Sequence, residues 1–258
     1  MQKNTHPGIP AATLVLVRDR DGAPPDLLMV QRAKKMAFAG GAMVFPGGRI
    51  DPGDHAIVEN DAIVRNAPED DMEAAARIAA IRETLEEMGI AVGFDPYPHE
   101  SAAAQMREGL HEEGDFGAML ATGGYTLDLG VMTPWARWKP NFKQERTFDT
   151  WFFVAEAPHA IDGEEDGGES IASRWAGAQQ VIDDAAEGKC SIIFPTVRNL
   201  ERLGQFSSFA EIKTHAESHE VKMITPWVEE REGTPWICIP DDVGYPVTGE
   251  PLQRTTRG

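Results

Sequence analysis

The chain has 258 residues, 41% of them hydrophobic, which is enough for one large domain or a domain with an extension. Its formal net charge of −18 argues against nucleic-acid binding, which needs basic patches, and favours solubility. No run nears the roughly 20 apolar residues that cross a bilayer, residues 1–7 offer no secretory signal, the final Thr255-Thr256-Arg257-Gly258 is no peroxisomal address, and Cys190 and Cys238 suit neither a disulfide framework nor a zinc site; a cytoplasmic protein with no membrane partner is expected.

In chain order, residues 11–18 (AATLVLVR) and 26–32 (DLLMVQR) predict two strands, rich in Val and Leu and joined through Asp21-Gly22-Ala23-Pro24-Pro25. Residues 42–45 predict a short strand running into a glycine bend. A polar stretch then ends in Pro68-Glu69-Asp70-Asp71, whose acids suit a helix start. A long helix is predicted over 71–88, a short strand over 91–94, and a helical cap over 101–120. Residues 135–138 and 148–155 (FDTWFFVA) predict strands of the main sheet, separated by an acidic Gly-rich loop at 158–168 from three helices at 178–188, 196–203 and 208–218. A terminal hairpin is expected over 224–239, turning at Glu232-Gly233-Thr234. The mixture reads as α/β.

The chemistry points to residues 82–90, Arg-Glu-Thr-Leu-Glu-Glu-Met-Gly-Ile. Glu83, Glu86 and Glu87 recur at i, i+3 and i+4 and share one narrow helix face. Like charges that close destabilise an isolated helix, and a hard divalent cation, which prefers oxygen ligands, is the simplest compensation. Ile78, Ile81, Leu85 and Met88 form the opposite, core-facing stripe. Ala76, Ala79 and Ala80 share the acidic side and are expected to leave it accessible. Arg82 flanks the carboxylates and can orient or neutralise one of them, and Gly89 ends the helix. A solvated acidic face is the plain alternative.

Upstream lies Phe45-Pro46-Gly47-Gly48-Arg49-Ile50-Asp51, where a glycine pair lets backbone approach a ligand closely. Together the two segments resemble the Nudix box, Gly-x5-Glu-x7-Arg-Glu-U-x-Glu-Glu-x-Gly-U with U apolar. Gly48 supplies the opening glycine; Arg82, Glu83, Glu86, Glu87, Gly89 and Ile90 match the distal half; Thr84 stands where the pattern prefers an aliphatic residue. Gly48 and Arg82 are 82 − 48 = 34 positions apart, against 14 in the pattern, so twenty residues are added. Counted back from Arg82, the first Glu of the pattern falls on Ala74, with Glu73 one place out, and the inserted segment, about 54–71, is expected to take over its structural role. Surface insertions of this kind are thermodynamically tolerated.

A split box of this form resembles the branch containing peroxisomal coenzyme A diphosphatases. The resemblance implies a Nudix α/β/α sandwich with a mixed β-sheet, a helical insertion at about 98–122, a hydrolase domain over 1–219 and a C-terminal extension over 220–258. It also implies metal-dependent hydrolysis of a nucleoside diphosphate linked to another group. Mg²⁺ or Mn²⁺ would be held by Gly48, Glu83, Glu86 and Glu87, with Glu83, Arg82 and Glu86 as the catalytic set. The segment Leu28-Met29-Val30-Gln31-Arg32-Ala33-x3-Ala37-x3-Gly41-x3-Phe45-Pro46-Gly47-Gly48 resembles the coenzyme A signature, Leu-Leu-Thr-x-Arg-Ser/Ala-x3-Arg-x3-Gly-x3-Phe-Pro-Gly-Gly. Ala37 replaces its second Arg, and Lys34 and Lys35 are close enough to substitute as point charges. Substrate-binding residues are thus expected at Arg32, Lys34, Lys35, Gly47 and Arg146.

Other dinucleotide-like diphosphates (NADH or ADP-ribose type) are the alternative substrates. A non-catalytic Nudix sensor is the alternative class, disfavoured because Arg82, Glu83, Glu86 and Glu87 are all kept. The partner expected is a small nucleotide substrate, with no nucleic acid or membrane; the family resemblance admits a homodimer. Softer candidates remain. Glu169 resembles an extra acidic residue outside the box. Trp135 and Trp138 read as core or hairpin packing, with adenine stacking the alternative. His215 and His219 have i, i+4 metal-ligand spacing but sit in a polar segment read as a solvated face.

Overall fold

Along β1 (Ile9–Arg20) the side chains divide by parity. Ala12, Leu14 and Leu16 face one hydrophobic core, and Val15 and Val17 face another, all at 0% exposure. That is the period-2 alternation of a strand covered on both faces. β2 (Ala23–Arg32) repeats it, with Leu28 and Val30 on the first face and Leu27 and Met29 on the second. The computed structural model describes residues 8–34, 39–140, 147–158 and 170–254.

The remaining elements follow in order: β3 (Met43–Val44), β4 (Gly47–Arg49), α1 (Pro52–Val58), β5 (Val64–Arg65), α2 (Asp71–Met88), β6 (Phe94–Asp95), α3 (Glu100–His111), α4 (Phe116–Gly123), β7 (Thr126–Asp128), β8 (Thr133–Trp138), β9 (Phe148–Glu156), β10 (Ser170–Gly177), α5 (Ala178–Ala186), α6 (Phe194–Leu203), α7 (Phe209–Glu217), β11 (Met223–Ile224), β12 (Trp227–Arg231), β13 (Thr234–Cys238) and β14 (Gly249–Pro251). Among the described residues the main sheet runs β10-β2-β1-β9-β8-β11, with β3 on β2 and β4 on β1. It is mixed: β1 pairs parallel with β9 and antiparallel with β2. Helices α1 to α4 cover one face and α5 to α7 the other, which gives the expected α/β/α layering. No helix among the described residues is long and apolar enough to cross a membrane.

The long helix runs over the predicted residues. The Asp70 carboxylate accepts the Glu73 N–H at 2.8 Å and caps its start. Gly89, at φ 70°, takes the left-handed conformation at its end, and its N–H donates to the Leu85 carbonyl. One expectation is corrected here. Ala76, Ala79 and Ala80 are fully buried rather than open, because α2 is covered on that side too. Their small side chains instead let α2 lie close to the sheet and to α1.

Four other expectations are also corrected. The segment added to the box is not a bare loop: it holds the part of α1 after Asp54 and β5, and β5 joins a small sheet ordered β5-β7-β6. The predicted cap helix breaks into α3 and α4 at Glu112-Glu113-Gly114, with Asp115 accepting the Ala118 N–H to start α4. The strand expected at 91–94 begins only at Phe94, since Ala91 and Val92 pack into the core. β10 was not expected at all; its Ser-Ile-Ala-Ser-Arg-Trp-Ala-Gly sequence lacks alternation, and it is a strand through pairing with β2.

The C-terminal hairpin forms as β12 and β13, with β14 added beside β13, while β11 joins the main sheet next to β8. Trp135 and Trp138 are 2% and 1% exposed in the core on the α6 side. Their indole N–H groups donate to Asn199 and to the Tyr245 hydroxyl, so packing, not adenine stacking, is their role.

Candidate active site

The site is built where β1 changes partner. Its later residues pair with β2, and its first residues pair with β4, placing Ala12 opposite Gly48 and Thr13 opposite Gly47. Both glycines are required by space. A Cβ at Gly47 would overlap the Ala12 carbonyl and Thr13 backbone, and its φ of 156° is one that side chains rarely adopt. A Cβ at Gly48 would overlap the Glu83 carboxyl group, so the box helix lies directly on this bend. The Gly47 N–H donates to Glu87 Oε2 at 3.3 Å.

Arg82 is the hub. It meets Asp54 through Nε to Oδ1 at 2.9 Å and Nη2 to Oδ2 at 3.0 Å. It also donates to Glu83 Oε1 at 2.9 Å and to the Arg49 carbonyl at 2.9 Å, and lies 3.5 Å from both Glu86 and Asp51. Burial alone would lower its pKa, but the Asp54 bonds and the charges of Glu83, Asp54 and Asp51 outweigh that and hold the guanidinium charged. Glu83 moves the other way. Burial chiefly, with the like charge of Glu86, pushes its carboxyl up to about 7 against the pull of Arg82.

The sequence reading missed Asp54. It follows Gly48 after five residues and so stands at the Gly-x5-Glu position of the box, with Asp in place of Glu. Counting forward from the glycine, rather than back from Arg82, finds it. Asp54 is 1% exposed, and its carboxylate also accepts the Asp51 N–H at 2.8 Å at the start of α1. The twenty added residues therefore fall after Asp54, between the two ends of its pairing with Arg82.

The acidic face thus gathers Glu83, Glu86 and Glu87 with Arg82, Gly47 and Gly48. Glu86 has the most exposed side chain of its pair with Arg82, 28% against 11%. As the side chains stand, no group of three or more His, Cys, Asp or Glu among the described residues is arranged to hold a metal ion. Arg82 draws Glu83 and Glu86, and Gly47 draws Glu87. The donor set nevertheless fits a hard divalent cation in type, since it is oxygen only and short of positive charge. Arg32 and Lys34 lie at the end of β2, where the Gly41 N–H donates to the Arg32 carbonyl and the Lys34 chain lies beside Gly41. Lys35, Ala37, Arg146 and Glu169 lie outside the described residues. His215 and His219 are on the opposite side of the sheet, partly buried against Arg202 and not on a solvated face. A surface hollow of about 240 Å³ lined by Arg65, Phe94, Tyr97 and Asp128 shares no residue with the carboxylate cluster.

A mixed sheet between two helical layers, with a glycine bend seated on an acidic helix, is the architecture of Nudix hydrolases. Residues 8–97 match the family model described as the NUDIX domain. The chain is similar to the crystal structure of a NUDIX hydrolase from Alicyclobacillus acidocaldarius, at 29% identity over 81% of this chain and 97% of that one, with a TM-score of 0.71. Looser likenesses are to the NUDIX domain of Shewanella oneidensis NrtR complexed with ADP ribose (13% identity, 69% and 78% covered, TM-score 0.40) and a C. elegans Ap4A hydrolase binary complex (15%, 81% and 95%, 0.37). The NUDIX-domain match over residues 8–97 and the likeness to a Nudix hydrolase support a Nudix diphosphohydrolase, a hydrolase of diphosphate-containing substrates.

Proposed function

We propose that this diphosphohydrolase cleaves coenzyme A-type diphosphates with Mg²⁺ or Mn²⁺ held by Glu83, Glu86, Glu87 and the Gly48 carbonyl. The observation that carries the reading is the meeting of the three carboxylates with Arg82 and the Gly47-Gly48 bend. A bound divalent ion supplies charge neutralisation for the diphosphate oxygens and a more acidic coordinated water. The chain's own work is orientation. Arg82 fixes Glu83, the ligand or general base, and its charge also holds Glu86 nearby. Gly47 fixes Glu87 by its N–H and, having no side chain, lets the bend lie directly against β1.

Arg32, Lys34, Lys35 and Arg146 are proposed to bind the substrate's phosphates. Support comes from the coenzyme A signature, whose Arg32 and Gly41 are hydrogen-bonded neighbours here. Ala37, at the place of the signature's second Arg, favours the second reading, a substrate of NADH or ADP-ribose type.

The test is a product-resolved assay of the purified protein with Mg²⁺ or Mn²⁺ on coenzyme A, NADH and ADP-ribose. Coenzyme A should yield 3′,5′-ADP and 4′-phosphopantetheine faster than the others are cleaved. Cleavage of NADH or ADP-ribose alone would hand the case to the second reading. Glu86→Gln keeps side-chain volume and removes a ligand, so it should abolish turnover while leaving the circular dichroism spectrum unchanged. Wild-type rates in that variant would refute the site assignment.

A further inference from the structure

We propose that Arg107, on the inserted helix α3, is a positioning residue for the metal-holding carboxylates, because its guanidinium fixes the turn of α2 from which Glu86 and Glu87 project. The inference rests on the proposed ligand roles of those two residues.

The last turn of α2 has an electrostatic problem. Its final carbonyls have no partner within the helix, and the helix dipole places partial negative charge there. Glu83, Glu86 and Glu87 add three carboxylates at i, i+3 and i+4. A cation in the last turn is the usual remedy, and α2 has no basic residue there.

Arg107 supplies the cation from another helix. Its Nε donates to the Glu86 carbonyl at 2.9 Å and its Nη2 to the Glu87 carbonyl at 2.8 Å. One planar fork thus holds two successive peptide groups, which a lysine could not do in the same geometry. One turn further along α3, on the same face, His111 Nδ1 lies 3.7 Å from Glu86 Oε1. The helix therefore meets this turn at both backbone and side chain. α3 itself is seated by Met106 and Leu110, both buried in the core that α2 shares. The insertion also reaches the other half of the site, since Gly117 at the start of α4 lies against Ile57 of α1, the helix that carries Asp54.

The experiment measures Mn²⁺ affinity by calorimetry, and the metal and substrate dependence of turnover, in the full-length wild type, Arg107→Ala, Arg107→Lys, Leu110→Ala and Glu86→Gln. Losing an outer partner of a metal ligand typically costs 10- to 100-fold in affinity. Arg107→Ala should weaken Mn²⁺ binding by about tenfold or more, while KM at saturating Mn²⁺ stays within about twofold. Arg107→Lys should recover part of the loss. Leu110→Ala loosens the seat of α3 but keeps the guanidinium; it should lower the thermal midpoint with a far smaller effect on Mn²⁺. Wild-type affinity in Arg107→Ala, with Glu86→Gln defective, overturns the inference and leaves the ligand reading standing. So does an equal affinity loss in Leu110→Ala, which would mark general loosening. Wild-type affinity in Glu86→Gln overturns the ligand reading and the inference with it.

Discussion

Arg82 and Asp54 face each other through two parallel bonds, 2.9 and 3.0 Å, with both side chains buried although they stand 28 positions apart in the chain. A bidentate guanidinium–carboxylate pair is the strongest form of hydrogen bonding the two groups can make. Removing Asp54 takes both bonds from a buried guanidinium and leaves it only Glu83, the Arg49 carbonyl and the longer contacts to Glu86 and Asp51; breaking a buried pair in this way costs about 3–5 kcal/mol. Asp54→Ala should therefore lose about 3 kcal/mol or more in urea unfolding, and its kcat should fall as Glu83 loses the Arg82 orientation. A loss under about 1 kcal/mol would place the pair among weak surface contacts.

The two box glycines should separate fold from function. At Gly47 an added methyl meets fixed backbone of β1, so Gly47→Ala should break the β1–β4 pairing and lower stability by about 1–3 kcal/mol, as overpacking does. At Gly48 the methyl meets the Glu83 carboxyl, the movable end of a side chain. Gly48→Ala should keep the unfolding midpoint near wild type and lose most turnover, because Glu83 must leave its place. Equal stability losses in both variants would contradict this division.

The strands of the two-sided sheet were legible because burial on both faces leaves Val and Leu in dense runs, as at Leu14 to Val17. The acidic helix was legible because its three carboxylates and its closing Gly89 obey helical spacing. What escaped was set by partners distant in sequence. β10 is a strand only because β2 is beside it. Arg107 acts on peptide carbonyls, which carry no side-chain signature. Tyr245, in the C-terminal extension, donates to Asn199 and closes a buried polar network on the far face of the sheet. Asp54 is legible in the sequence as the acid that follows Gly48 after five residues, at the Gly-x5-Glu position.

Lys34 and Lys35 stand near the position where the coenzyme A signature has an Arg for the 3′-phosphate. If they supply that charge, Lys34→Ala/Lys35→Ala should raise KM for coenzyme A by about tenfold, equivalent to about 1.4 kcal/mol. KM for dephospho-coenzyme A, which lacks that phosphate, should change by less than about twofold. The same shift on both substrates would exclude a 3′-phosphate role for the pair.

His215 predicts a stability slope in mild acid. Its pKa is lowered to about 4 by burial first, then by the positive charge of Arg202 and by His219. Arg202 Nε donates to His215 Nε2 at 3.1 Å, a bond that requires that nitrogen unprotonated, and the His219 ring lies 4.3 Å away. Tyr245 nearby offers no counter-charge, since burial pushes its hydroxyl up to about 12. An unfolded histidine takes its proton near pH 6.5. Below that the unfolded state binds more protons than the folded one, so stability is whole above about pH 6.5 and declines as pH falls toward about 4. Urea unfolding at pH 7.5, 6.0 and 5.0 should show that decline, and His215→Gln should flatten it over the interval where most carboxylates are still ionised. Because this network lies across the sheet from Glu83, Glu86 and Glu87, the variant should leave kcat at pH 7.5 near wild type. A slope unchanged by His215→Gln would mean that other groups, not this imidazole, set the acid limit of the fold.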